Sequence, residues 1–118
     1  MGRKPIPKKI RLQVYEMCGG HCAYCGCELQ YKDMQVEHVN PISLCGSDTI
    51  DNMLPSCRSC NHYKSTLNLE DFREYVSTLH NRMLRDSVNY RTLNRFNLIK
   101  PSEEPLIFYF ERMKTDGT

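Results

Sequence analysis

The hydrophobic pattern in the first half of the chain predicts one short helix and one short strand. Apolar residues at helical spacing predict a helix over 7–18, which the glycine pair at 19–20 ends. A short apolar run predicts a strand over 34–38. Residues 21–29 form a tight cysteine-bearing loop, and residues 40–55 are rich in turn-forming residues, which also predicts a loop. The apolar face of the helix consists of Ile10, Val14 and Met17.

The second half is predicted to be mainly helical, with one closing strand. Ser56 can cap a helix over 57–66, and Asn68 can cap a longer helix that follows it. A third helix is predicted over 88–98. An apolar and aromatic run over 106–110 predicts a strand that closes the core. The longer helix has an apolar face at helical spacing, made of Leu69, Phe72, Tyr75, Val76, Leu79 and Met83.

Length and composition favour a small cytoplasmic protein. A chain of 118 residues suits one domain with a limited core, which an additional cross-link through its cysteines would stabilise. The polar and basic N-terminus does not resemble a secretory signal. No window approaches the ~20 apolar residues of a membrane span, so we expect no membrane partner. In the reducing cytoplasm, paired cysteines usually bind metal.

The formal net charge of +2 is spread unevenly along the chain. Residues 1–11 carry five positive charges and no acid, residues 12–57 carry a net charge of −5, and residues 58–118 carry +2. Short basic arms often contact nucleic acid, but many are only solvated tails, so charge alone does not require a nucleic-acid partner. Four later arginines could likewise contact phosphates or form a solvated face: Arg82, Arg85, Arg91 and Arg95.

Two cysteine pairs, Cys22-x-x-Cys25 and Cys57-x-x-Cys60, are the strongest chemical signal in the sequence. Two residues between thiolates let both sulfurs turn toward one point, and a second pair completes the tetrahedron that zinc prefers. Four cysteines leave no open position for water, so such a site is structural. The alternatives are two disulfides or redox couples, or His21 in place of one cysteine. The cysteines outside the two pairs are Cys18, Cys27 and Cys45.

An ordered set of polar residues lies in the 31-residue insert between the two cysteine pairs and just after the second pair. Glu37 and His38 are adjacent in the predicted strand, Asn52 is in the loop, and Asn61 is followed three residues later by Lys64. In this order, the residues resemble the four-cysteine, zinc-containing type of the HNH endonuclease family.

The resemblance covers roughly residues 9–76 and implies a single HNH nuclease domain over 1–118. Its fold class would be α+β, a small zinc-stapled ββα-metal domain, treble-clef-like, with additional flanking helices. The motif core would span about 18–67. It would lie between the N-terminal basic arm, 1–11, and a C-terminal helical extension and strand over 68–113.

The resemblance also implies a role for each matching residue. His38 resembles the general base that activates water, and Glu37 and Asn61 resemble ligands of a catalytic divalent metal. Asn52 resembles the residue that fixes the loop and, through it, the histidine. Lys64 resembles a common positive residue near the scissile strand. The candidate nucleic-acid contacts are therefore Lys64, Arg58, Arg82 and Arg85.

The chemistry of phosphodiester hydrolysis suits these residue types independently. Histidine titrates near pH ~6.5, so it can take a proton from water at neutral pH. A divalent ion such as Mg²⁺ or Mn²⁺ stabilises the charge on the phosphate and the leaving 3′ oxygen, and Mg²⁺ needs few protein ligands. Adjacent strand residues point to opposite faces. For Glu37 and His38 to act together, a twisted hairpin end or a bulge is needed.

The expected function is a metal-dependent DNA endonuclease that leaves 5′-phosphate and 3′-hydroxyl ends. The alternatives are a non-catalytic zinc module that binds nucleic acid or protein, and an adaptor in a larger assembly. A binding module has no need for Glu37 and His38 together with Asn61. His62 is the rival of Asn61, since neighbouring helix positions differ by roughly 100°. Family relatives include phage-encoded, restriction and mobile-element nucleases, so a packaging or restriction assembly or a homodimer is an open expectation.

Overall fold

The computed structural model describes residues 5–115, so Arg3 and Lys4 of the predicted basic arm lie outside the described residues. The chain divides into two compact units, Met1–Leu69 with Ile107–Thr118, and Glu70–Leu106. Among the described residues, no helix is long and apolar enough to cross a membrane.

The first unit is built on a two-stranded antiparallel sheet followed by a helix. Strand β1 (Gln35–His38) pairs with β2 (Met53–Ser56), with Glu37 opposite Leu54 and His38 opposite Met53. Helix α2 (Arg58–Lys64) follows β2 after one residue. The α+β class and the ββα order predicted from the sequence are confirmed.

Strand β2 lies in the segment that the sequence predicted to be a loop. Pro55 and the neighbouring turn-forming residues argued against a strand, since proline cannot donate to a ladder. Both strands of a two-stranded sheet are edge strands, so one missing donor is tolerated. The remainder of the predicted loop contains two 3₁₀ turns, Ile42–Leu44 and Ile50–Asn52.

The core of the first unit joins helix α1 (Lys8–Glu16) to the sheet. Its buried members come from α1, the cysteine loop and both sides of the hairpin, and Ile10 packs against them. Met17 was predicted to share the α1 face, but the helix ends at Glu16 and Met17 is exposed. The buried cluster consists of Val14, Leu29, Met34 and Met53.

The cap of helix α2 differs from the prediction. Cys57, and not Ser56, occupies the N-cap, where its Sγ accepts a bond from the backbone N–H of Cys60 at 3.4 Å. Ser56 is the last residue of β2, and its hydroxyl donates to the Cys57 carbonyl. The cap acceptor is therefore a cysteine sulfur in place of the usual hydroxyl oxygen, and it belongs to the first cysteine of the second pair.

The predicted long helix after Asn68 is divided into α3 (Leu69–Ser77) and α4 (Leu79–Asp86). The break lies at Thr78, whose hydroxyl donates to the Glu74 carbonyl at 2.9 Å. Back-bonding of this kind bends helices and competes with their regular ladder. Helix α5 (Val88–Arg95) follows as predicted, with the Ser87 hydroxyl as its cap.

The predicted closing strand over 106–110 is wrong, because this segment leads into helix α6 (Tyr109–Thr115). The Glu111 carboxylate accepts a bond from the Phe108 N–H at 2.9 Å, which is one half of a capping box. The first helical N–H groups donate to the carbonyls of Tyr24 and Ala23. Aromatic residues favoured a strand, but the local cap determines the structure.

Lys64, at the end of α2, is completely buried and fixes the helix to the hairpin. Its ammonium donates to Glu37 Oε1 at 2.7 Å, to the His38 carbonyl at 3.2 Å and to the Leu67 carbonyl at 2.7 Å. Three acceptors satisfy its three donors, which is the condition under which a charge can be buried.

We expect Lys64→Met to lower the free energy of unfolding by about 3 to 5 kcal/mol, because it leaves the Glu37 carboxylate buried without its cation. Urea unfolding of zinc-saturated protein, followed by far-UV circular dichroism, measures the change. Lys32→Met is the matched control, since Lys32 is exposed and its loss should change stability by about 0.5 kcal/mol or less. Equal stability of the two variants would contradict the structural role of Lys64.

Candidate functional site

The four paired cysteines come together in the first unit. The sulfurs of all four lie within 4.8 Å of one another, and Cys25 Sγ is 3.9 Å from Cys57 Sγ. Cys22 is buried, Cys57 and Cys60 are partly buried, and Cys25 is exposed. The four cysteines predicted to bind zinc therefore form one cluster suited to that ion, and a disulfide is absent among the described cysteines.

Backbone geometry places each pair. The first pair lies in a tight turn, in which the Gly26 N–H donates to the Cys22 carbonyl and the Cys22 N–H to the Cys27 carbonyl. Gly26 has a φ of +82°, and a Cβ there would lie 2.7 Å from the Tyr109 ring, so glycine is required. The Ala23 N–H donates to the Pro55 carbonyl, which ties the turn to β2 just before the second pair.

The crowded sulfurs perturb one another. A hydrogen bond from Cys60 lowers the pKa of Cys22 to about 4. The same bond, together with burial, raises the pKa of Cys60. Burial also raises the pKa of Cys57. Neighbouring thiols cannot all become anions unless a cation shares the space, and a divalent ion bound by thiolates provides that cation.

The remaining cysteines and His21 lie outside the four-sulfur cluster among the residues described. Burial raises the pKa of Cys18 to about 11, so it remains a thiol. His21 Nδ1 lies 3.3 Å from the Cys18 carbonyl and 3.1 Å from the Gly19 carbonyl, so the ring is engaged with backbone.

A second site lies at the end of the hairpin, in an open cleft of about 620 Å³. Glu37, His38 and Asn61 all line this cleft. The register of β1 with β2 is regular over its four pairs, so no bulge is needed within them. His38 is the last residue of β1, which allows consecutive residues to border the same space. His62, the rival of Asn61, is exposed and is not among the residues that line this cleft.

Glu37 enters this cleft as a buried, ion-paired carboxylate. Burial raises the pKa of Glu37, and the Lys64 ammonium, 2.7 Å from Oε1, opposes that effect. Lys64 itself has no exposed surface, so the direct DNA contact predicted for it is not available in this structure. Its charge acts inside the protein, through Glu37.

His38 has a partner that sequence reasoning missed. Its Nε2 lies 2.8 Å from Asp48 Oδ1, and the ring is only 9% exposed while the Asp48 side chain is 54% exposed. Asp48 lies in the loop between the strands, 10 residues after His38. The only feature of the sequence that could have indicated this contact is that Asp48 lies in the loop that begins directly after His38.

Asn52 is buried and holds the same loop at both ends. Its Oδ1 accepts from the Asn40 N–H at 2.9 Å, and its Nδ2 donates to the carbonyls of Asn40 at 2.9 Å and Ser47 at 2.7 Å. The backbone between Asn40 and Ser47 is thereby closed into a compact turn next to His38. The catalytic consequence of this contact stays a prediction.

The predicted arginine contacts lie in different settings. Arg58 is exposed at the start of α2 in the first unit. In the second unit, Arg82 packs over the Tyr75 ring and donates to Thr78, while Arg85 is paired with Asp86 and is 70% exposed. Nucleic-acid binding by these three arginines stays a prediction.

Comparison with known proteins agrees with this geometry. A family model described as HNH endonuclease matches residues 22–75. The Septu protein PtuB of Bacillus thuringiensis is 39% identical over 61 residues, which cover 48% of this chain and 24% of that protein. The crystal structure of the Type II-C Cas9 enzyme from Actinomyces naeslundii is similar in fold, with a TM-score of 0.51 and 20% identity, over 88% of this chain and 14% of that one.

The chain thus spans about a quarter or less of the length of each of these two proteins. The matched family segment begins at Cys22, contains all four clustered cysteines, and includes Glu37, His38, Asn52, Asn61 and Lys64. The segment over 22–75, which carries the four-cysteine cluster and the ββα order, therefore matches the HNH endonuclease family.

Proposed function

We propose that the protein is a metal-dependent DNA endonuclease in which His38 activates water. The observation that carries the proposal is that Glu37, His38 and Asn61 line one open cleft, although they come from β1 and α2. A non-catalytic zinc module would need the four-cysteine cluster but no acid, base and amide around a separate cleft. The second candidate, binding without cleavage, is therefore less well supported.

His38 would act as the general base at the end of β1. It takes a proton from water, the water oxygen bonds to phosphorus, and the bond from phosphorus to the 3′ oxygen breaks. The products are a 5′-phosphate end and a 3′-hydroxyl end, the latter protonated by solvent. Asn52 contributes by holding the loop from Asn40 to Ser47, which borders the histidine.

Glu37 and Asn61 are the residues that would hold a catalytic divalent ion such as Mg²⁺ or Mn²⁺. Their donor chemistry fits, because one carboxylate and one amide oxygen suffice for an ion that keeps several waters. When bound, the ion would neutralise charge on the phosphate and on the leaving oxygen. Lys64 donates a hydrogen bond to Glu37 Oε1, so Oε2 is the carboxylate oxygen that would be left to bind an ion.

Zinc at the four cysteines would be structural. The cluster joins the turn at Cys22 and Cys25 to the first turn of α2, and α2 carries both Asn61 and Lys64. Zinc would therefore hold the helix that completes the cleft. Four thiolates leave no open position, so water activation belongs to the other site.

The chain's partners and assembly also belong to this proposal. DNA is the expected substrate, and a larger nuclease, packaging or restriction assembly or a homodimer could supply targeting. The short match to PtuB and to the Cas9 enzyme supports a nuclease unit that works beside other segments or subunits.

The nuclease proposal predicts that wild-type protein nicks or cuts supercoiled plasmid in Mg²⁺ or Mn²⁺ and is inactive in excess EDTA. His38→Ala should lower the rate by about 100-fold or more, because the proton of water loses its acceptor. Gel analysis of plasmid forms gives the rate, and end-labelling tests for 5′-phosphates.

Matched zinc content and circular dichroism of the two proteins serve as the folding control. His62→Ala is the matched variant, since His62 is exposed and outside the cleft, and it should retain wild-type activity. If wild type cuts no DNA with any divalent ion while holding zinc, the binding-module candidate replaces the nuclease.

The zinc proposal predicts about one zinc ion per purified chain. Cys60→Ser should lose that zinc and much of its helical signal, because a cluster ligand is removed. Cys45→Ser is the matched control, since Cys45 is exposed and outside the cluster, and it should retain zinc. Atomic absorption measures the metal. Full zinc in Cys60→Ser would contradict the assigned ligand set.

Arg58 gives a test of the DNA interface. In a His38→Ala background, Arg58→Gln should weaken binding to a short duplex and lower the salt slope of log K by about 1, because one phosphate contact is lost. Fluorescence anisotropy between low and moderate salt measures both. Arg112→Gln, exposed and outside the predicted contacts, is the control. An unchanged slope for Arg58→Gln would remove Arg58 from the interface.

A further inference from the structure

We infer that helix α6 is a strap over the first cysteine pair, which keeps zinc in place by holding the turn over 22–26 closed. The inference rests on the zinc part of the proposed function and does not depend on cleavage. Helix α6 lies beyond residue 75, where the matched family segment ends, so it is not part of that match. The observation is that α6 and the residue before it contact this turn through backbone and side chains.

The two cysteine pairs are anchored differently. Cys57 caps helix α2 and Cys60 lies within that helix, so the second pair belongs to the ββα framework. The first pair, Cys22 and Cys25, lies in a turn outside the helices and strands. Loops and turns generally open at a lower free energy than helices and sheets. Zinc would therefore be released most readily by opening of this turn, unless another element holds it.

Two backbone hydrogen bonds join α6 to the turn. The Tyr109 N–H donates to the Tyr24 carbonyl at 3.1 Å, and the Phe110 N–H donates to the Ala23 carbonyl at 2.8 Å. Both acceptors lie between the two cysteines of the first pair. The first N–H groups of a helix have no partner within the helix, so the turn satisfies them and is itself held by the helix.

Aromatic side chains hold the same turn from the interior. Tyr24 is 4% exposed and Phe108 is 3% exposed, and their rings meet edge to face with 5.2 Å between centroids. The Phe110 ring lies 6.2 Å from the Tyr24 ring, also edge to face. Ring pairs of this geometry stabilise beyond their buried area. Because Tyr24 lies between the two cysteines, opening of the turn must separate a buried ring from its partners.

The Tyr109 ring lies against both ends of the turn. A Cβ atom at Gly26 would lie 2.7 Å from Tyr109 Cδ1, so the ring is directly against the glycine. The Tyr109 ring centroid is also 5.4 Å from that of His21. His21 precedes the first pair in the sequence and Gly26 follows it. Tyr109 is thus a positioning residue, which acts on zinc through the turn and not as a ligand.

The experiment measures zinc release from the zinc-loaded full chain into excess pyridylazoresorcinol, a coloured chelator, well below the unfolding temperature. Tyr109→Ala should release zinc about 10-fold faster than wild type, the low end of the effect of residues that orient metal ligands. Tyr109→Phe should release zinc at the wild-type rate, because it keeps the ring that contacts Gly26 and His21.

Arg11→Met is the control for a general loss of stability. Arg11 donates to the carbonyls of Tyr31 at 3.0 Å and Met34 at 2.7 Å, and neither residue belongs to the turn or to α6. Arg11→Met should lower Tm, because two backbone acceptors lose their donor, but should leave the rate of zinc release unchanged. Thermal unfolding followed by circular dichroism gives Tm for each variant.

Hydrogen exchange locates the opening within the chain. The Gly26 N–H donates to the Cys22 carbonyl at 3.0 Å, so its exchange with solvent reports opening of the turn. In zinc-loaded Tyr109→Ala, this amide should exchange faster than in wild type. The Val39 N–H, which donates to the Asn52 carbonyl at 2.9 Å, should exchange at the wild-type rate. Unchanged exchange at Gly26 would contradict a strap that holds the turn.

Glu111→Ala is a second variant for the case in which Tyr109→Ala does not fold. The Glu111 carboxylate accepts a bond from the Phe108 N–H at 2.9 Å, so its removal loosens the start of α6 and leaves the Tyr109 ring in the chain. Zinc release from Glu111→Ala should be faster than from wild type. Release at the wild-type rate would contradict the strap.

The outcomes separate the strap from the zinc site itself. Wild-type protein that binds no zinc overturns the zinc proposal and the strap together. Equal release rates for zinc-loaded wild type and Tyr109→Ala overturn the strap alone and leave the four-cysteine site intact. Equal acceleration in Arg11→Met and Tyr109→Ala also overturns the strap, because zinc release would then follow global unfolding and not the opening of one turn.

Discussion

The buried ammonium of Lys64 is the interaction on which the candidate active site depends. It has no exposed surface and is bonded to Glu37, to the His38 carbonyl and to the Leu67 carbonyl. A charge is retained inside a protein only when its donors are satisfied, so the end of β1 and the end of α2 must meet at this point. Because Glu37 and His38 lie at that end of β1, the same contact positions both side chains at the cleft.

The cysteine cluster applies a second constraint to the same helix from its other end. Cys57 is both a member of the cluster and the cap of α2, and Lys64 is the last residue of α2. The helix has seven residues, too few to be stable by itself in water. Fixing both ends compensates for that length and sets the position of Asn61 within the cleft.

Sequence reasoning predicted the parts of the molecule that follow from regular spacing. Two x-x spacings between cysteines predicted the cluster, because ligand geometry leaves few alternatives. The ordered set from Glu37 to Lys64 predicted the ββα fold through family resemblance. Helix α1 followed from apolar spacing, and helix α5 was also predicted, with ends that differ from the prediction by a few residues.

Sequence reasoning failed where a local hydrogen bond outweighed the pattern. The Thr78 hydroxyl divides an otherwise continuous amphipathic helix, and the Glu111 carboxylate caps a helix in an aromatic run typical of strands. Lys64 was predicted to contact nucleic acid through the family resemblance, but its side chain is buried against three acceptors inside the protein. The contact between Asp48 and His38 depends on a loop conformation that Asn52 determines, which no periodicity encodes.

Glu37 and His38 are consecutive in β1, but the pairs that they form with Lys64 and Asp48 differ in their exposure to solvent. Glu37 and Lys64 are both buried, so their charges are shielded from solvent and their geometry is fixed by packing. His38 is buried but its partner Asp48 is half exposed, so this pair borders solvent. Under the proposed function, a buried and well-positioned pair suits a residue that would hold an ion, whereas a residue that would act as a base needs access to solvent. The same short strand provides both because it ends where the interior of the unit meets the cleft.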